Sequence, residues 1–187
     1  FRFDKHPWCD YYLYVIIKSK RRCELQVIAN YLNTEEHLKI KNFVESSDID
    51  WYFNKNTTHH KKSPFQYVHP LYNADVPRNH INILNPILSK IQPLSLIRAK
   101  VDCTFKTNEH VDTGSHNDYS NDSLKSAVYF VNNNNGYLKI KDQIIKSKAN
   151  TICIFDSNIL HSGFTCTDED RRLVINICYV PDIEINN

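Results

Sequence analysis

Most of this chain's capacity for chemistry sits in three histidines and two aspartates of its second half. His110-Val111-Asp112 and His116-Asn117-Asp118 repeat the pattern His-x-Asp, and His161 follows the apolar run Thr151 to Phe155. Side chains alternate along extended backbone, so the His and Asp of either triplet point to one side and offer an imidazole and a carboxylate to the same cation. A composition like this one yields on the order of one His-x-Asp by chance, so the triplet carries little weight until a third ligand and a scaffold are found for it. His161 is the candidate third ligand.

Two imidazoles and one carboxylate on one face of an octahedron leave three positions open, the arrangement used by non-haem Fe(II) sites that activate O2. Two open positions suit chelation by a 2-oxo acid and one suits O2. A dicarboxylate cosubstrate also needs its far carboxylate held, and Arg does this with two parallel hydrogen bonds and a permanent charge. Arg172 opens the last apolar run, and period two in 172–178 puts Arg172, Val174, Asn176 and Cys178 on one face with Leu173, Ile175 and Ile177 opposite.

The elements that must position these residues follow from hydrophobic patterning. Val27 to Tyr31 reads as a short strand, and Asn33 with Glu36 has the form of a capping box, predicting a helix over about 34–44. Asp50 to Tyr72 reads as irregular with one strand at Phe65 to Val68, and a second helix is expected over about 81–91 with Pro86 near its start or kinking it. From Leu94 onward, apolar and β-branched runs recur at about ten-residue intervals, which is barrel or sandwich spacing. The runs are 96–105, 126–132, 137–141, 144–146, 151–155, 161–165 and 172–180, and Asn132 to Gly136 reads as a turn using left-handed backbone.

The 187 residues, 41% hydrophobic and 24% charged, fit one compact soluble domain, and a net charge of +2 gives no electrostatic reason to expect nucleic acid or anionic lipid. The basic runs Lys18 to Arg22 and His59 to Lys62 read as solvated loops, and Tyr11 to Ile17 is too short an apolar stretch to span a bilayer. Six cysteines without CxxC spacing, three of them inside strand-like runs, point to a reducing compartment and a cytoplasmic location, a host cytoplasm if the gene is viral. Residues 1–24 are set apart as a leader of uncertain role. His59, His60, His69 and His80 read as surface or structural histidines, and Lys100 as the solvated side of a strand.

The ordered set LSLIRAKVDCTFKT (94–107), HND (116–118), SAVYFVNNNNGYLKI (126–140), ANTICIFDSNILHSG (149–163) and CTDEDRRLVINICYV (166–180) resembles the 2-oxoglutarate and Fe(II) dependent oxygenases of prolyl 4-hydroxylase type, especially the small bacteriophage members. The resemblance implies an α+β, mainly β fold: a double-stranded β-helix, or jelly roll, with flanking N-terminal helices, in one domain over 25–187 (helical support 25–93, barrel 94–181). It implies Fe(II) at His116, Asp118 and His161, and 2-oxoglutarate at Arg172, with Tyr129 and Asn176 as further cosubstrate contacts. His116 is preferred to His110 because the family places its triplet shortly before a YxxN strand, here Tyr129 to Asn132. Relatives often have Tyr-Tyr-Leu-Asn there, and Phe130 lacks the phenol that would reach the cosubstrate.

The activity implied is hydroxylation of a peptidyl prolyl or other amino-acid side chain, in a protein, peptide or small amino-acid substrate, with 2-oxoglutarate converted to succinate. Ascorbate is a further expected cofactor. Two alternatives stand beside it: a nucleobase-oxidising oxygenase, against which the last strand lacks a second Arg after Asn176, and a non-catalytic cupin-like metal-binding module. No membrane association is expected, nucleic acid is not the expected partner, and the oligomeric state and any role for the His110-Asp112 pair stay open.

Overall fold

The computed structural model describes residues 25–58 and 63–182, so the leader 1–24, with the run Lys18 to Arg22, and the run His59 to Lys62 lie outside the described residues. The chain begins with strand β1 (Gln26–Ala29) and helix α1 (Thr34–Glu45). The capping box forms as expected: the Asn33 side chain accepts from the Glu36 amide at 2.9 Å, and the Glu36 carboxylate accepts from the Asn33 amide at 3.2 Å. Such a cap stabilises a helix by about 1 kcal/mol. Helix α1 buries Ile40 and Val44 and leaves its acidic first turn in water.

Residues 50–72 are more regular than their sequence suggested. They form β2 (Tyr52–Asn54) and an eight-residue strand β3 (Gln66–Asn73), from which the short β4 (Val76–Pro77) turns back. Aromatic residues favour a pleated surface, and Pro70 is accommodated because the pairing of β3 shifts register between Pro70 and Tyr72. The expected second helix divides into a 3-10 turn (Ile81–Leu84) and α2 (Asn85–Ile91), with Pro86 in the first turn of α2, where its missing N–H costs nothing. The stretch 25–93 therefore contributes four strands as well as helices.

The remaining strands match the spacing read from the sequence: β5 (Pro93–Phe105), β6 (Lys125–Phe130), β7 (Tyr137–Ile140), β8 (Gln143–Lys146), β9 (Thr151–Asp156), β10 (His161–Phe164) and β11 (Arg171–Pro181). They form two antiparallel sheets. The larger has the order β1-β9-β6-β11-β5-β3-β2, with β4 on β3, and the smaller β10-β7-β8. Backbone bonds extend the smaller sheet by the segment 111–116, which runs beside β10 through the bridges Asp112 to Phe164 and His116 to His161. This is the jelly-roll arrangement the resemblance implied.

Strand β11 shows why the alternation matters. Leu173, Ile175 and Ile177 are fully buried against Ile40, Val44, Leu84 and Ile87 on the helical side, whereas Val174 joins Val128, Phe130, Leu138 and Phe155 between the sheets. The larger sheet is thus covered on both faces, and its polar inward residues have only the space between the sheets to occupy.

The turn at 132–136 is built differently from expectation, since none of its residues adopts left-handed backbone. Asparagine side chains replace that conformation: Asn134 accepts from the Gly136 amide at 3.0 Å, and Asn132 accepts from the Leu173 amide at 2.9 Å while donating to the Arg171 carbonyl at 2.8 Å. Gly136 is required by space. A Cβ there would lie 2.8 Å from Cδ of Arg172 and 2.9 Å from the Phe164 carbonyl oxygen.

Candidate metal centre

The segment that leaves β10's edge toward β6 carries His116 and Asp118, and β10 opens with His161. Antiparallel pairing of His116 with His161 sets their rings 4.4 Å apart by centroid, and one potential ligand atom from each of His116, Asp118 and His161 lies within 4.8 Å of the others. Among the described residues this is the one such cluster of His, Cys, Asp or Glu. The triplet 116–118 meets the sheet through a single bridge at His116 rather than as a strand, yet its imidazole and carboxylate face the same side.

Both imidazoles are fixed in the form a metal needs. Nδ1 of His116 lies 3.0 Å from the Gly114 carbonyl oxygen and Nδ1 of His161 lies 2.9 Å from that of Ile159. A carbonyl only accepts, so each Nδ1 carries a proton, and in the neutral ring the lone pair is then on Nε2. Burial also lowers the pKa of His161, favouring the neutral, ligating ring. For Asp118, burial alone would raise the pKa; the Arg98 guanidinium, His161 and the Ser126 hydroxyl outweigh it and hold the carboxyl down at about 2. Its Oδ2 accepts from Ser126 Oγ at 2.6 Å and lies 3.8 Å from His161 Nε2, while Oδ1 accepts from Arg98 Nη2 at 2.5 Å. Two imidazoles, each with Nδ1 committed to a carbonyl, and an ionised carboxylate, each oriented by an outer partner, fit Fe(II).

Arg172 lines the same cavity. The residue is only 5% exposed, and its guanidinium donates from Nε to Ser147 Oγ at 2.9 Å and lies over the Phe130 ring at 5.7 Å. No carboxylate among the described residues lies within 4.0 Å of it. Burial pushes its pKa down to about 10, Asp102 and Cys166 pulling weakly the other way. Asn132 bonds to the backbone on both sides of Arg172, which fixes where the side chain leaves the strand. A buried cation without a carboxylate partner, beside a metal-ligand set, fits a dicarboxylate. Asn176 lines the cavity too, its Nδ2 at 3.5 Å from Asp118 Oδ2.

Tyr129 does not belong to this site. Its parity on β6 is that of Ala127 and Val131, which face the helices, while Val128 and Phe130 face the other sheet. The fully buried Tyr129 hydroxyl meets Nδ1 of His37 at 2.7 Å and donates to Asn150 Oδ1 at 3.1 Å, joining α1 to the sheet. Tyr129→Phe is therefore expected to cost about 1–3 kcal/mol of stability in denaturant titration, with 2-oxoglutarate affinity unchanged.

The other triplet serves the backbone. His110 Nδ1 donates to the Thr165 carbonyl at 2.7 Å, and Asp112 accepts from the Gly114 amide at 2.8 Å. His69 is a buried structural histidine, donating from Nδ1 to the Asp50 carbonyl at 2.8 Å. Lys100, read as solvated, lines the cavity and pairs with Asp102 at 2.8 Å. Arg98, Lys100, Asp102 and Thr104 alternate with Ala99, Val101 and Cys103 of the helical-side core, so the signal for an inward polar face was present in the sequence.

No helix among the described residues is long and apolar enough to cross a membrane. No protein-family model matches the chain, and no curated protein sequence matches it. Solved structures do. A 2OG-Fe(II) oxygenase family oxidoreductase from Burkholderia pseudomallei superposes with a TM-score of 0.59 at 12% identity, over 97% of this chain and 95% of its own. A prolyl hydroxylase from Trichoplax adhaerens, in complex with a hypoxia inducible factor peptide fragment, gives 0.60 at 12% over 95% and 92%. A Pseudomonas putida prolyl-4-hydroxylase gives 0.60 at 10% over 91% and 99%. From its strand order, its two-sided larger sheet and these likenesses, the chain has the double-stranded β-helix fold of the 2OG-Fe(II) oxygenases.

Proposed function

We propose that the protein is an Fe(II)- and 2-oxoglutarate-dependent oxygenase that hydroxylates an amino-acid side chain, a peptidyl prolyl residue foremost. Substrate C–H, O2 and 2-oxoglutarate become substrate C–OH, succinate and CO2. The observation that carries this reading is the conjunction in one cavity of three oriented ligand groups with a buried, carboxylate-free guanidinium.

The bound iron supplies activation of O2 and oxidation of the substrate C–H bond. The protein's part is placement. Nε2 of His116 and of His161, with Oδ2 of Asp118, would hold the metal; Arg172, kept in place by Ser147, Phe130 and Asn132, would hold the distal carboxylate of 2-oxoglutarate. Val128, Leu138 and Val174 line the same cavity and limit water around the cosubstrate. The peptidyl substrate class is supported by the prolyl hydroxylases among the structures with this fold, one of them bound to a peptide.

The test begins without oxygen. Fe(II) and 2-oxoglutarate added together are expected to give a visible charge-transfer band that neither gives alone, because the band requires both on one centre. Admission of O2 should then release succinate, faster with proline-containing peptides than with oligonucleotides. Absence of the band would leave only a binding module; a rate raised by oligonucleotide alone would move the substrate to nucleobases.

A further inference from the structure

The two oxygens of Asp118 are treated differently by their surroundings. Oδ2 faces His161 Nε2 at 3.8 Å and accepts from Ser126 Oγ, itself 2.9 Å from Ser157 Oγ. Oδ1 is taken by Nη2 of Arg98 at 2.5 Å. That guanidinium is steadied from three sides: Nη2 also reaches Asn176 Oδ1 at 3.2 Å and Cys178 Sγ at 3.4 Å, and the Tyr119 ring lies 5.5 Å from its central carbon. Its Nε is buried with no hydrogen-bond partner. A donor left unsatisfied costs free energy, so Arg98 keeps its contact with Asp118 in a pose that leaves its own hydrogen bonding incomplete.

We propose that Arg98 is a positioning residue that holds Oδ1 of Asp118 off the metal position, so that the carboxylate contributes one oxygen and not two. This rests on the oxygenase reading above. With one oxygen from Asp118 and one nitrogen from each histidine, three of six positions remain, the number that a chelating 2-oxo acid and O2 need. A carboxylate free to turn about its Cβ–Cγ bond chelates through both oxygens and takes one of those positions. Because Arg98 lies across from Cys178 in the β5–β11 register, its reach to Asp118 is set by sheet pairing and is independent of the loop that carries the ligand.

The test uses Arg98→Gln, Arg98→Ala and Arg98→Lys in the full chain. Mn(II) affinity, read by electron paramagnetic resonance, should fall by less than the 10- to 100-fold usual for a lost outer partner, because the second Asp118 oxygen freed in the Gln and Ala variants is itself a ligand. Affinity of the Fe(II) form for 2-oxoglutarate, read from the charge-transfer band, should fall at least about tenfold in Arg98→Gln and Arg98→Ala, the range for loss of an outer partner, and be largely restored by Arg98→Lys. Unchanged 2-oxoglutarate affinity in the Gln and Ala variants, or parallel loss of metal and 2-oxoglutarate in all three, overturns the assignment. Crystals of the parent and of Arg98→Gln soaked in Mn(II) alone read the coordination without the cosubstrate: one Asp118 oxygen on the metal in the parent and two in the variant are expected. Two in the parent, or one in the variant, refutes the role of Arg98 whether or not the band exists, and a parent that binds Mn(II) but never shows the band refutes the oxygenase reading instead.

Discussion

His161→Ala is expected to abolish the iron and 2-oxoglutarate absorption band and succinate formation together. Its Nδ1 is committed to the Ile159 carbonyl, so Nε2 is its sole free donor of a lone pair. Removing it leaves one imidazole and one carboxylate, and the loss in metal affinity should exceed the 10- to 100-fold that removal of an outer partner costs. The fold should survive, because the backbone pairing of β10 with Ile140 and with His116 does not involve the ring. The ring packs 4.8 Å from Phe155, so a stability cost on the order of 1–3 kcal/mol is expected from the lost contact. Normal succinate production by a folded His161→Ala variant would remove this residue from the centre.

Arg172→Met is expected to move stability and cosubstrate affinity in opposite directions. Methionine fills much of the volume of the arginine stem without charge, and the cost of keeping a guanidinium in the interior, on the order of 3 kcal/mol for a depression of this size, disappears. The unliganded variant should therefore be at least as resistant to urea as the parent at neutral pH, where the parent's charge is most costly. In contrast, losing one partner of a buried charge pair costs about 2–5 kcal/mol of binding, so 2-oxoglutarate affinity should drop on the order of a hundredfold or more. Equilibrium unfolding and titration of the absorption band measure the two effects separately. A variant that binds 2-oxoglutarate as well as the parent would show that the buried cation serves another purpose.

The barrel strands and β11's two faces were legible because burial imposes period two on any strand covered on one side, and the runs of Leu, Ile and Val record it. His161 and the two His-x-Asp triplets were visible as residue types, while the choice between the triplets came from order along the chain. Tyr129 failed on parity. A motif such as Tyr129 to Asn132 marks a strand without saying which of its residues faces the cavity, and one step along β6 carries a side chain from the space between the sheets to the helices. Asn132, read only as part of a turn and a motif, brackets Arg172 through contacts that exist once β11 lies beside it. Lys100 was misplaced because it was read as the solvated side of its strand, and Arg98 and Asp102, on the same face, were not singled out. That inference holds for a sheet with one free face and fails for the inner wall of a sandwich.

Asp118 is anchored to the larger sheet, through Ser126 on β6 and Arg98 on β5, whereas His116 and His161 belong to the smaller. A single cation gripped by all three residues would therefore rivet the two halves of the sandwich at its mouth. Filling the centre would then brace one β-layer against the other, and a chelator would be felt as a loss of stability of the whole sandwich as well as in one small pocket.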